Sequence, residues 1–302
     1  MHGTARMIAV AAALAMMLLS GSPALAGHAI GTMRIYVTEE TDTLVDIAVT
    51  EGVGFLELKA ANPGVDVWAP AAGTRVMIPS MHLLPDAPEK GIVINLADMR
   101  LYLFNVGDVI SWPIGIGREG RITPLGATRA VRKARDPFWY PPNSVRQEKP
   151  WLPARVEPGP DNPLGDRAIY LGWPRYLIHG TNKPYGVGRR VSSGCIRMYP
   201  EDVQSLFELV EPGTSVLVVD QPVKLGWIEG VLFVEVHPTP AQQEQLEADG
   251  RFTAEIPEDL TPRVLEATKG RRVSIDWNAV RAAGIQRLGY PVPVTSPVLM
   301  TR

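Results

Sequence analysis

No stretch of this chain runs far before a proline or a glycine interrupts it. There are 28 of each in 302 residues. Proline fixes φ and removes a donor, while glycine frees the backbone for turns. Such dense punctuation keeps helices short and leaves brief apolar runs between turns, so a mainly β architecture is expected over a helical bundle. The length suits two or three modest domains. A net charge of −2 argues against a nucleic-acid partner.

A second constraint is local. His179 to Met198 reads HGTNKPYGVGRRVSSGCIRM and holds Cys195, the one cysteine of the chain, sixteen positions after His179. Glycines, small hydroxyls and two arginines dominate it, so it reads as a surface loop leaving a strand that ends near Ile178. A loop that returns to its start sets an imidazole beside a thiol, the minimum equipment for thiol nucleophilic catalysis. A lone cysteine is more often a small buried hydrophobe. Cys195, however, lies in Ser-Ser-Gly-Cys rather than in an apolar run, and Gly194 removes bulk beside the sulfur and permits a positive φ. That geometry turns backbone N–H groups toward a developing oxyanion. One Cys and no His pair at i, i+4 give no metal-ligand spacing, and no metal or other cofactor is expected.

The N-terminus bears on where such a thiol works. Arg6 precedes an apolar run from Met7 to Ser20, and Pro23-Ala-Leu-Ala26 supplies the small residues of a cleavage site. The run is shorter than the ~20 residues of a membrane span. Residues 1–26 therefore read as a signal peptide, with a retained anchor as the alternative, and the mature chain as exported to the periplasm with no stable membrane span. A single thiol in an oxidising compartment is buried, joined to another molecule, or used. Use fits Cys195 best.

The same residues carry a resemblance. His179-Gly-Thr followed by Ser192-Ser-Gly-Cys-Ile-Arg-Met198 resembles the signature of the L,D-transpeptidase family, whose catalytic domain is of the YkuD type. Thr123-Pro-Leu-Gly126 and Asp136-Pro-Phe-Trp-Tyr-Pro-Pro142 resemble its TPxG turn and substrate-side loop. The resemblance covers about Gly91 to Asp220. It implies a β-sandwich catalytic domain, peptidoglycan stem peptides as substrate, a cysteine nucleophile acylated by carbapenems, and a histidine oriented by a main-chain carbonyl. Cys195 is then the nucleophile, His179 its base, and Gly194 part of the oxyanion turn. Arg197 either holds a substrate carboxylate or pairs with Glu201 or Asp202. Ser192 and Ser193 bond the loop or the substrate, and Tyr185 and Trp139 line a substrate channel or pack at its rim.

Residues 33–80 form a separate unit. A short strand at Arg34–Val37, a helix opened by Asp42, a helix from Phe55 to Ala60 stopped by Asn62-Pro63-Gly64, and a strand from Gly73 to Pro79 give a β-α-α-β pattern. That order resembles a LysM module, which implies binding to the glycan of peptidoglycan. A Pro-rich linker, 81–90, precedes the catalytic region, 91–220. There Gly91–Leu96 and Arg100–Asn105 read as paired strands, and a helix follows Pro200. Residues 221–302 read as an α+β accessory region of unassigned role, in which His237 is expected at the surface.

Three readings compete. The first is an L,D-transpeptidase linking stems to one another, or to an outer-membrane lipoprotein. The second is an L,D-carboxypeptidase or cross-link hydrolase of the same fold. The third is a non-catalytic LysM wall-binding protein. Retention of both His179 and Cys195 weighs against the third.

Overall fold

Ile92, Val93 and Ile94 are consecutive and wholly buried, the pattern of a strand covered on both faces. Their strand, Gly91–Asn95, belongs to an eight-stranded sheet. The order is Ile196–Arg197, Leu177–His179, Arg167–Leu171, Gly126–Arg135, Ser215–Val219, Gly91–Asn95, Arg100–Asn105 and Asp108–Pro113. Two pairings are parallel, Gly91–Asn95 with Ser215–Val219 and Leu177–His179 with Ile196–Arg197. The computed structural model describes residues 29–105 and 107–297. The expected signal peptide, 1–26, lies outside the described residues.

The sheet curls until its edges meet. Chain leaving Asp108–Pro113 reaches Gly115, which exchanges two N–H···O bonds of 2.9 Å with Arg197 on the opposite edge. The expected β-sandwich is thereby corrected to one continuous rolled sheet, and the mainly β reading stands. The bend lies in Gly126–Arg135, which pairs with Ser215–Val219 through its first half and with Arg167–Leu171 through its second. Strand twist accumulates along so long a strand and carries it from one layer to the other. The helix Pro200–Leu209 opens on proline, with Glu201 and Asp202 suited to its positive end, and buries Val203, Leu206 and Phe207.

The first unit pairs Arg34–Val37 with Arg75–Ile78 around helices Leu44–Thr50 and Phe55–Ala61. Thr43 rather than Asp42 caps the first helix, accepting the Asp46 N–H at 3.0 Å. Asp42 instead receives the Tyr36 hydroxyl and the Glu39 N–H. Asn62 ends the second helix by donating to Leu58 O and Met77 O and accepting the Met77 N–H. A buried amide so satisfied costs little and fixes the helix against the strand.

Residues 81–90 do not act as a free spacer. His82–Leu83 pairs with Ala29–Ile30 and is buried, and apolar side chains of the first unit and of the sheet form one contiguous core. Prolines at 85 and 88 favour extended chain whether it is loose or packed, so composition alone does not separate the two.

Beyond the sheet, Val223–Ile228 and Val231–Val236 form a hairpin across Glu229-Gly230. Both turn residues have positive φ, as a two-residue type I′ turn requires. With Val292–Pro293 and the helices Leu260–Thr268 and Trp277–Gln286, the hairpin encloses a second core, whereas the helix Pro240–Asp249 buries Leu246 in the first core. His237, expected at the surface, is buried there, its Nε2 2.7 Å from the Glu235 carboxylate.

Glu235 sits where the three units meet. It accepts the Leu83 N–H at 2.5 Å and lies 2.9 Å from Lys224 Nζ and 3.4 Å from His82 Nδ1. Lys224 also donates to Leu83 O and Asp98 at 2.8 Å and to the Tyr102 hydroxyl at 3.0 Å. His82 Nε2 continues to Glu57 at 3.1 Å, which Arg100 approaches at 3.2 Å. Burial pushes Glu57 up, but the charges of Arg100 and His82 and the Gly54 N–H outweigh it and hold its pKa at about 2. Asp98, Glu235 and His237 converge closely enough to ligate a cation. The Lys224 ammonium already supplies that positive charge.

Candidate active site

Parallel pairing sets Ile178 opposite Ile196 and His179 opposite Arg197. Side chains alternate across a strand, so Ile178 and Ile196 go to the core, both fully buried. His179, Arg197 and Cys195, the residue just before the strand, share the other face. The loop thus returns beside its origin, as the sequence implied. Cys195 is a half-buried free thiol. Its Sγ lies 3.4 Å from Arg175 O, a carbonyl presented by a residue at φ 72 in the turn between Arg167–Leu171 and Leu177–His179. His179 is buried, and its Nδ1 is 2.6 Å from Gly180 O. That contact makes Nδ1 the donor and leaves Nε2 with a free lone pair, the tautomer a general base needs. No bond between His179 and Cys195 is formed in this resting arrangement; such bonds commonly tighten only when substrate binds.

Electrostatics keep both groups uncharged. Burial and then the Arg197 charge lower the His179 pKa to about 4, against the opposing pull of the Gly180 carbonyl. Burial raises the Cys195 thiol, partly countered by the Leu177 backbone and by Arg197. The pair therefore rests as thiol and neutral imidazole rather than as thiolate and imidazolium.

Gly194 adopts φ 104, and a Cβ there would lie 3.0 Å from Tyr176 Cε1. Only glycine fits this turn without strain. Ser192 is buried within it, donating to Cys195 O at 2.5 Å and accepting the Gly194 N–H at 3.1 Å. Its hydroxyl is consumed inside the loop, so Ser192 braces the turn and does not face the substrate. Ser193, next to it, is exposed.

The thiol-bearing turn and its histidine lie within a recognised domain. A family model described as the L,D-transpeptidase catalytic domain, YkuD, matches residues 89–218. Probable L,D-transpeptidase ErfK/SrfK of Escherichia coli K12 is 41% identical over 265 residues, covering 85% of this chain and 83% of the relative. The chain belongs to the L,D-transpeptidase family. Probable L,D-transpeptidases YcfS and YbiS of the same organism are 43% and 40% identical, over 71% and 83% of both chains. The function of this L,D-transpeptidase is that of its class, acyl transfer.

Other residues expected at the L,D-transpeptidase site are more scattered. Arg197 is half-buried and forms no ion pair with Glu201, Asp202 or any other described residue. Its charge is thus left to face His179 and Cys195. Tyr185 is exposed in the turn Pro184–Gly186. Trp139 is half-buried in the crossover after Gly126–Arg135, its backbone bridged to Val156. Sequence reasoning missed Arg175, Tyr176 and the bond that the buried Thr123 hydroxyl donates to Gly194 O. No side-chain pattern marks a residue that contributes its carbonyl, and Thr123 stood only as part of a turn motif.

Proposed function

We propose that this enzyme cross-links peptidoglycan in the periplasm through Cys195 and His179. The observation that carries the reading is that His179 in one strand and Cys195, just ahead of the parallel strand beside it, share a face, with the histidine fixed by its own neighbour's carbonyl. His179 Nε2 takes the thiol proton as sulfur attacks the amide between an L-centre and a D-residue of a stem peptide. The tetrahedral intermediate collapses to a thioester, and the leaving amine takes the proton back from His179. An acceptor amine then attacks the thioester, His179 takes its proton, and the new amide leaves the thiol restored. The unpaired Arg197 guanidinium suits a stem carboxylate near the sulfur. Residues 33–80 act as a LysM-type grip on the glycan, and 1–26 direct export.

Incubation with disaccharide-tetrapeptide and mass analysis tests this. A dimer is expected from wild type and no change from Cys195→Ala. A carbapenem should add once to wild type and not to the variant. A shortened stem without dimer would favour water as acceptor, and an adduct persisting on Cys195→Ala would rule out this nucleophile.

A further inference from the structure

The Gly194–Cys195 peptide is held from behind. Thr123 is buried at 2% exposure; its hydroxyl donates to Gly194 O at 3.0 Å and accepts the Gly117 N–H at 3.2 Å. In a trans peptide the carbonyl and the following N–H point in opposite directions. Anchoring Gly194 O in the interior therefore aims the Cys195 N–H away from it, and that N–H has no protein acceptor among the described residues. The Gly194 N–H, by contrast, is already taken by Ser192. Glycine at φ 104 has no side chain to resist rotation of this peptide. A rotated peptide would turn the negative end of its dipole toward the reacting carbonyl.

We propose that Thr123 is a positioning residue for acyl transfer, its hydroxyl fixing the peptide whose N–H receives the oxyanion. The role rests on Cys195 being the nucleophile. As the thiolate adds to a carbonyl, the C–S bond forms and the C=O electron pair moves onto oxygen. Collapse then expels the amide nitrogen, which takes the proton held by His179. The oxyanion exists only between these events, so a donor set in advance acts on that step and not on sulfur reactivity in general.

Alkylation by iodoacetamide forms a C–S bond without any oxyanion, and separates the two effects. Thr123→Val should be acylated by a carbapenem about 10- to 100-fold more slowly, with initial binding and alkylation rate unchanged. Thr123→Ser, which keeps the hydroxyl, should stay close to wild type. Urea midpoints monitor folding, and Thr123→Ala makes the same comparison should valine not fold. Acylation of Thr123→Val or Thr123→Ala at the wild-type rate would overturn the proposal. So would a serine variant as slow as valine, or equal losses in acylation and alkylation. A wild-type protein that takes no carbapenem while its thiol alkylates would instead overturn the nucleophile, and this role with it.

Discussion

The resting state of the site makes a pH prediction that separates two kinds of thiol enzyme. Burial and Arg197 lower His179 to about 4, and burial raises Cys195. A lowered base stays neutral, and so competent, to lower pH. At pH 5.5 an imidazole of pKa 4 is about 97% neutral, whereas one at the ordinary 6.5 is about 9% neutral. Acylation by a carbapenem, followed by stopped-flow absorbance, should therefore be nearly flat from pH 8 down to about 5.5, with an acid limb near 4. Alkylation should behave differently. Even at the ordinary thiol pKa of about 8.5 only about 3% is ionised at pH 7, and burial raises Cys195 above its ordinary value. Its reaction with iodoacetamide should rise roughly tenfold per unit from pH 6 to 8. An acylation limb at 6.5, or an alkylation rate flat between pH 5 and 8, would refute the neutral pair and imply a preformed thiolate.

Two further outcomes concern the seating of the first unit and its buried charges. Gly188 has φ 72, and a Cβ there would lie 2.3 Å from Gly54 Cα. Gly188→Ala should cost about 2–4 kcal/mol in urea unfolding and slow carbapenem acylation, because Val187 O and Gly188 O receive the Phe55 and Leu56 N–H groups there. A wild-type midpoint would sink the argument. Lys224→Met should cost about 3–5 kcal/mol, since the lysine is 1% exposed between two wholly buried carboxylates. Adding Asp98→Asn should restore part of that loss, and strict additivity of the two changes would refute the coupling.

Local patterns made the individual elements legible. Asn62-Pro63-Gly64 stops a helix because it can do little else, and the Ser215–Val219 strand follows directly from Pro212-Gly213. The loop from His179 to Cys195 could be read as returning to its start because its ends needed one another chemically. Long-range partnerships were not legible. His237 followed by proline looks like a surface residue until Glu235 and Arg287 are placed around it. The hairpin strand Val223–Ile228 escaped notice because Lys224 interrupts its apolar pattern, and that lysine is buried only through Glu235 opposite it in the hairpin and Asp98 from a distant segment. Rolling of the sheet depends on twist summed over many strands, which no single window contains.

The shared core has a geometric consequence. Tyr199, four residues after Cys195, sends its hydroxyl 2.9 Å to Val53 O, between the two helices of the first unit. With Arg189 stacked on Phe55 and bonded to Glu247, the first unit is bolted to the catalytic domain instead of tethered to it. A tether would let one foothold on a strand serve many neighbouring stems. A bolted frame behaves as a jig: under the proposed function each foothold on the glycan would offer the sulfur stems at one offset, with links stamped at intervals set by the enzyme's own dimensions.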